Sequence, residues 1–377
     1  GLKSSKKSVL SCIALLVAIL SPALAPALMA AAETSAQPID NLPQTREDLA
    51  NIVVDWLRSQ GGFFNENLSI QRIDPSDVNS PLGVFATKDI DLEERLIEVP
   101  KKCYISIPDA VQRDEEDSEE NMYHNICHLG HTLIKEMILG RKSFFLPYIT
   151  YLEKTQRPGQ IPAGWSEAGK EMLRKVATSG SDLVDWIDTA YGDKECINPD
   201  DPLQRYVIEI VRQRGYDLAL IPIWDMVNHD NGRINTVHDG HLKGDGVKVR
   251  ALKKIRAGEE LFCSYDMDGE NNEWGTPEIL RDFGFIENYP QRWVYPDPDI
   301  WFELHEKKSA GVSSGLEVHW YPDVGGDISK EDKEEIYFLT EELKRLHEVK
   351  SKYLEESQRG SISDHEWSTI LRFHRAS

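Results

Sequence analysis

Cysteine is scarce in this chain, with five among 377 residues. No two stand in a CxxC pair, so neither a zinc ribbon nor a dense disulfide framework is supported, although one or two disulfides stay open. Cys12 lies in the N-terminal segment, which leaves Cys103, Cys127, Cys196 and Cys263. Positive charge is also short: 43 Lys and Arg stand against 64 Asp and Glu, a net charge of −21. A surface of that sign repels phosphate backbones, which argues against nucleic acid and for a basic protein or a lysine-bearing segment as partner. Beyond residue 32 no apolar run reaches the roughly 20 residues of a spanning helix, so no membrane contact is expected after that point. No internal repeat is evident, and the acidic run at 114–120 reads as a solvated loop.

What is present begins with Lys3, Lys6 and Lys7, followed by an apolar stretch over 9–20. Pro22 and Pro26 break it, and Ala30 to Ala32 close it with small residues. The pattern makes 1–32 a signal-peptide-like segment and predicts entry into the secretory pathway. Residues 33–48 read as a polar linker running into a helix over 46–60, with Ile52, Val53, Trp56 and Leu57 as its buried stripe. Short alternating segments (SIQRI, GVFATKDI, RLIEVP) are predicted strands, so 49–107 hold the helix and a first strand set. Apolar residues at three-to-four spacing make 108–210 helical, and strand character returns over 211–292. Neither strand set can close a core alone, so the two are expected to combine around the helical insertion. The remainder, 293–377, reads as a helical lobe. In it Ile336, Leu339, Leu343, Leu346 and Tyr353 fall at heptad-like spacing behind an N-cap at Ser329, with Asp332 three residues on.

Four segments carry the chemistry, and their order matters more than any one of them. They are PLGVFAT from Pro81, IPIWDMVNH ending at His229, GEELFCSYD from Gly258, and DFGF from Asp282. Taken singly each has an ordinary reading: a turn at Gly83, a satisfied Asn-His pair, core aromatics at Tyr265, Phe283 and Phe285. Taken together, in this order and around a helical insertion, they are far more specific.

In these segments the chain resembles the SET-domain protein methyltransferases, in the branch that includes the Rubisco large-subunit lysine methyltransferase. The likeness runs from about residue 49 to 292, including HTLIKEMILGRKSFFLPYITYL, and DHEWSTILRFHRA is similar to the family's C-terminal helices. It implies an α+β fold: small bent β-sheets with a helical insertion, then a short α-helical C-terminal lobe that helps hold a protein substrate. It also implies S-adenosylmethionine as cofactor, held by backbone groups at Leu82, Gly83 and Val84 and by Arg214, Asp225, Asn228 and His229. Tyr265 matches the active-site tyrosine, while Trp224, Phe283 and Phe285 are expected to line the substrate channel. Phe283 departs from the family, since the Rubisco enzyme carries tyrosine there.

The implied activity is methyl transfer to a lysine of a non-histone protein by a monomer that needs no metal. Methylation of a protein histidine, or a non-catalytic binding role for the same fold, are the alternatives. A plastid reached through the secretory route would reconcile a signal peptide with a cytosolic cofactor; the cytoplasm is the other compartment considered. Two histidine groups argue for metal instead. His124, Cys127, His128 and His131 share one helical stripe, but no second ligand cluster lies nearby in sequence; His229, His238 and His241 lie close together, but His229 belongs to the Asn-His motif and no HExxH spacing supports them.

Overall fold

Thr45 caps the first described helix. The computed structural model describes residues 45–108, 119–178, 182–192, 196–198, 200–216, 218–239, 244–265, 274–295, 300–309, 312–321 and 330–377. The signal-peptide-like segment, most of the linker, Ser329 and His241 lie outside these residues. The Thr45 hydroxyl accepts the Asp48 N–H at 3.1 Å, and the Asp48 carboxylate accepts the Thr45 N–H at 3.2 Å. This reciprocal cap starts α1 (Arg46–Ser59), so residues 45–48 belong to the helix and its cap rather than to a linker. The buried stripe of α1 is Ala50, Val53, Val54 and Leu57, an i, i+3, i+4, i+7 set. Ile52, expected in that stripe, is exposed because the helical step carries it off the face.

Five short strands follow: β1 (Phe63–Phe64), β2 (Leu68–Arg72), β3 (Leu82–Ala86), β4 (Arg95–Pro100) and β5 (Ile105–Ser106). The insertion supplies α2 (Glu119–Leu139), α3 (Leu146–Thr155), α4 (Glu167–Val176) and α5 (Pro202–Arg214). Then come β6 (Gly215–Tyr216), β7 (Ala219–Leu220), β8 (Asn228–His229), β9 (Thr236–His238), β10 (Gly246–Ala251) and β11 (Phe262–Cys263). The chain continues through α6 (Thr276–Phe283), β12 (Gln291–Tyr295), β13 (Ile300–Ser309), β14 (Val312–Tyr321), α7 (Lys330–Tyr353) and α8 (Asp364–Ala376).

Strands from either side of the insertion share sheets. The largest has the order β1-β4-β10-β9, in which Val99 pairs with Val247 and Ile97 with Val249. A second, β5-β7-β6, is closed in the same way. Only by such joining do strands of two to six residues bury a common face. A disulfide between Cys127 of α2 and Cys196, with Cα atoms 5.6 Å apart, staples the insertion across 69 residues. Cys103 and Cys263 are buried and take no part in this disulfide.

The segment expected to be wholly helical after residue 292 is not. β12, β13 and β14 form a three-stranded antiparallel sheet. The pattern that specifies it is period two: Ile300, Phe302 and Leu304 lie on one face, Glu303 and His305 on the other. That sheet, with α4, α6, α7 and α8, encloses a second core around Leu173, Leu280, Trp293, Ile300, Trp367 and Ile370. Ser363 caps α8, and Glu366, which completes that cap, also accepts Ser166 N–H at 2.6 Å at the start of α4. In α7 the buried positions include Leu346 and Val349, whereas Ile336 and Leu343 face solvent, so the heptad stripe holds only in part. Among the described residues no helix is long and apolar enough to cross a membrane.

Candidate active site

The central geometric fact is a parallel pairing of two short strands. β8 lies beside β11 with Asn228 opposite Phe262 and His229 opposite Cys263. Parallel register delivers residue 265, two positions past β11, to the imidazole of residue 229, 36 positions earlier in the chain. Tyr265 N–H donates to His229 Nδ1 at 3.0 Å, and the two rings stand 5.2 Å apart. Because Nδ1 accepts, the ring's hydrogen sits on Nε2, which donates to the Glu287 carboxylate at 2.7 Å. Both side chains of that pair are essentially sealed from solvent. The expectation that the His229 side chain holds a cofactor is therefore revised: its two nitrogens are spent inside the protein.

Asn228 points the other way and closes β3 onto β8. Its Nδ2 donates to the Leu82 carbonyl at 2.9 Å and to Glu260 Oε1 at 2.7 Å. Gly83 lets the crossing close as it does, since a Cβ there would run into Glu260 Oε1 and crowd Asn228 Nδ2, and the Glu260 carboxylate would have to move. Burial pushes the Glu260 carboxyl above its usual range, against the hydrogen bond from Asn228. Val84 adds a backbone link, its carbonyl accepting the Leu261 N–H at 2.7 Å.

Arg214 ends α5 and reaches the turn before Asn-His. Its Nη1 donates to the Asp225 backbone carbonyl at 2.7 Å, and Nε donates to Gln156 Oε1 at 3.2 Å. The Asp225 carboxylate is held otherwise. Tyr148 donates to Oδ2 at 2.8 Å, Arg214 stands 4.0 Å away, and Oδ1 is buried without a hydrogen-bond partner. Burial outweighs the guanidinium and lifts this carboxyl to about 6. The turn itself is strained, because Ile223, a buried β-branched residue, sits at φ +71°. Such a conformation persists only where surrounding contacts enforce it, and here it aims Trp224 and Asp225.

The expected channel rings divide into two groups. Tyr265 lies 4.6 Å from Phe283, and Phe285 lies 6.4 Å from Phe283 and 6.0 Å from His229. Phe283 and Phe285 are half-buried, so this wall has an open side. Trp224, expected beside them, has Tyr216 and His238 as its ring neighbours, at 6.5 and 5.0 Å. The Tyr265 hydroxyl donates to the Val227 carbonyl at 2.9 Å, and burial pushes its ionisation well above the ordinary phenol range.

Phe283 is placed by a charged strut. Asp282, fully buried, accepts Arg212 Nη2 at 2.7 Å and Arg281 Nε at 2.9 Å. Burial alone would raise its carboxyl, but the two guanidiniums hold it below the usual range. Both guanidiniums in turn lie over Trp186 and Trp274. Three consecutive residues of α5 thus serve both sides of the site: Arg212 holds Asp282, Gln213 reaches the Phe283 carbonyl at 3.4 Å, and Arg214 holds the Asp225 turn.

Sequence reasoning missed Tyr148, Glu260, Glu287 and the α5 strut. Glu260 lies inside a motif already singled out, and Glu287 stands two residues past another, so proximity was the available signal. The metal readings find no support. Cys127 is spent in the disulfide, and His131 Nε2 lies 3.0 Å from the Cys196 carbonyl. Among the described residues no group of three or more His, Cys, Asp or Glu could hold a metal ion.

Comparison with known proteins places this geometry in context. Residues 82–266 match the SET domain. The chain is 24% identical over 299 residues to the chloroplastic [fructose-bisphosphate aldolase]-lysine N-methyltransferase of Arabidopsis thaliana, covering 70% of this chain and 59% of that one. It is 23% identical over 307 residues to the chloroplastic Rubisco large-subunit N-methyltransferase of Pisum sativum, covering 71% of this chain and 58% of the relative. It is 48% identical over 211 residues to the actin-histidine N-methyltransferase of Homo sapiens, covering 48% of this chain and 35% of the relative. The chain thus spans less than two thirds of the length of these relatives. A solved structure of Rubisco LSMT bound to sinefungin and monomethyllysine superposes with a TM-score of 0.49 at 17% identity, covering 86% of this chain and 88% of that one.

Proposed function

We propose that this SET-domain chain is an S-adenosylmethionine-dependent protein methyltransferase whose acceptor is a lysine side chain. The observation that carries the reading is the parallel β8–β11 pairing, which brings Asn228, His229 and Tyr265 together from distant parts of the chain. The donor set fits the cofactor. It offers one carboxylate at Glu260, one guanidinium at Arg214 and half-buried rings, a combination suited to a cation that also carries a carboxylate. Glu260, Arg214, the backbone of Leu82 to Val84 and the side-chain carbonyl of Asn228, whose Nδ2 is spent on Leu82 and Glu260, would hold it. When bound, it supplies an electrophilic methyl group on a sulfonium.

The protein's own task is to align, desolvate and orient. Alignment alone can contribute roughly 7–11 kcal/mol in favourable systems. Lysine ionises near 10.4 in water, so its ammonium lacks the lone pair that attacks. An aromatic wall of Phe283 and Phe285 disfavours that charge by desolvation and receives the alkyl stem. The Tyr265 hydroxyl spends its hydrogen on Val227, so its oxygen is left as an acceptor for an amine N–H, which turns the nitrogen lone pair away from the ring. Burial keeps that phenol protonated throughout.

Histidine is the second reading, favoured by the identity to the actin-histidine enzyme over 211 residues. For location we favour the plastid, supported by the chloroplastic relatives and by the N-terminal pattern. Incubating the protein with methyl-labelled cofactor and cell extract, then mapping the labelled residue by mass spectrometry, tests the assignment. Label on lysine is expected, label on histidine selects the second reading, and no protein-bound label removes both.

A further inference from the structure

We infer that Glu287 is a positioning residue for Tyr265, acting through His229, a role that rests on the methyltransferase reading of the site. The chain of contacts is continuous and buried. Tyr265 N–H donates to His229 Nδ1 at 3.0 Å, and His229 Nε2–H donates to Glu287 Oε2 at 2.7 Å. Glu287 Oε1 in turn accepts Thr276 Oγ1–H at 2.7 Å and the Arg292 N–H at 3.4 Å. The side chains of His229 and Glu287 are 0% and 1% exposed, so water cannot replace either partner.

The physical consequence concerns which ring nitrogen carries hydrogen. A neutral imidazole free of constraint exchanges its hydrogen between two nitrogens. Here the carboxylate can only accept, so it keeps the hydrogen on Nε2 and leaves Nδ1 as an acceptor for Tyr265 N–H. Without Glu287 the Nδ1–H form becomes available, and that form confronts the Tyr265 amide hydrogen with another hydrogen. The backbone at 265 then loses its anchor, and with it the hydroxyl's bond to Val227 and the 4.6 Å approach to Phe283. The backbone around Glu287 is held as well: Arg372 Nη2 of α8 donates to the Ile286 carbonyl at 2.8 Å, and Gln291 Nε2 of β12 donates to the Glu287 carbonyl at 2.8 Å. The segment that carries Glu287 is thus fixed to the C-terminal core, and its carboxylate meets His229. Asn228, whose amide serves Leu82 and Glu260, lies on a separate branch. The loss is expected in turnover and not in cofactor affinity.

The experiment compares Glu287→Ala with Glu287→Gln in the full chain. Carboxylate partners of metal-bound histidines are worth about 10–100-fold in affinity or activity, and the same order is taken for this metal-free pair. We expect Glu287→Ala to lower kcat by about that factor with the KM for S-adenosylmethionine within about threefold. Glu287→Gln, which retains an acceptor for Nε2–H, is expected to restore most of the loss. In parallel, ¹⁵N NMR of the His229 ring should show the Nε2–H tautomer in the wild type and its depletion in Glu287→Ala. An unchanged tautomer, an unchanged kcat, or equal losses in both variants overturns the inference. The NMR arm needs no turnover, so a wild-type protein that methylates nothing sinks the functional reading and leaves the tautomer result to judge Glu287.

Discussion

The two sides of the candidate site are built on different physics. On the side proposed to hold the cofactor, Asn228, Glu260 and Arg214, with Asp225 behind Arg214, act through hydrogen bonds, most of them to backbone carbonyls or to one another. On the side proposed to receive the acceptor, Tyr265, Phe283 and Phe285 meet as rings at 4.6 to 6.4 Å, with one hydroxyl as the polar handle. Hydrogen bonds fix position to tenths of an ångström and tolerate no change of partner. Ring walls exclude water and tolerate changes of size. The first side should therefore be the same for any acceptor, and the second should set which acceptor enters.

The comparison can be broken most directly at Tyr265. Removing its hydroxyl in Tyr265→Phe should lower kcat by about 10²–10³-fold, the usual worth of one oriented polar group in a dry site. Thermal stabilisation by the cofactor should persist, because the hydroxyl bonds Val227 and belongs to the acceptor side. A lost thermal shift would mean that the two sides are not separable.

A smaller effect tests the cofactor side through pH. Asp225 ionises at about 6 in the folded chain against 3.8 for a free aspartate, chiefly because burial penalises its charge. A carboxyl raised in the native state contributes its stability below the unfolded value and loses it as pH climbs through the folded one. The full cost of ionisation at neutral pH is about 3 kcal/mol. Asp225→Asn does not ionise, so its stability relative to wild type should improve between pH 4 and pH 7 by up to that amount. Urea unfolding at several pH values measures it, and a difference that does not vary with pH would refute the assignment of cost to this carboxyl.

The smallest change sharpens the acceptor side. Phe283→Tyr restores the residue that the resembled lysine enzyme carries and adds one hydroxyl beside Tyr265. It should leave cofactor affinity unaltered and shift the ratio of lysine to histidine methylation by less than about tenfold, the worth of a single modest hydrogen bond. Peptide competition assays would read this ratio. A change in cofactor affinity alone would place position 283 on the wrong side of the comparison.

Much of this was legible before any coordinates. The helical insertion between two strand sets followed from periodicity, and the four motif segments gathered the right neighbourhoods: Gly83 against Asn228, His229 against Tyr265, Phe283 against Phe285. Three features were not legible. The strands β12 to β14 were read as part of a helical lobe, although Ile300, Phe302 and Leu304 alternate. Trp224 joined Tyr216 and His238 because a left-handed Ile223 turns the chain, and no motif announces such a dihedral. Glu287 looked like one acid among 64 acidic side chains.

The sequence alone determined which chemical groups exist and how their local periods divide the chain into strands and helices, because those signals act over a few residues. Tertiary structure alone decided what each polar group faces. The direction of a hydrogen bond at His229, the Tyr148 hydroxyl set against the buried Asp225 carboxylate and the Arg212 guanidinium that holds down Asp282 depend on residues 58, 77 and 70 positions away. Their energies come from desolvation and Coulomb attraction at a few ångströms, distances that chain order does not encode.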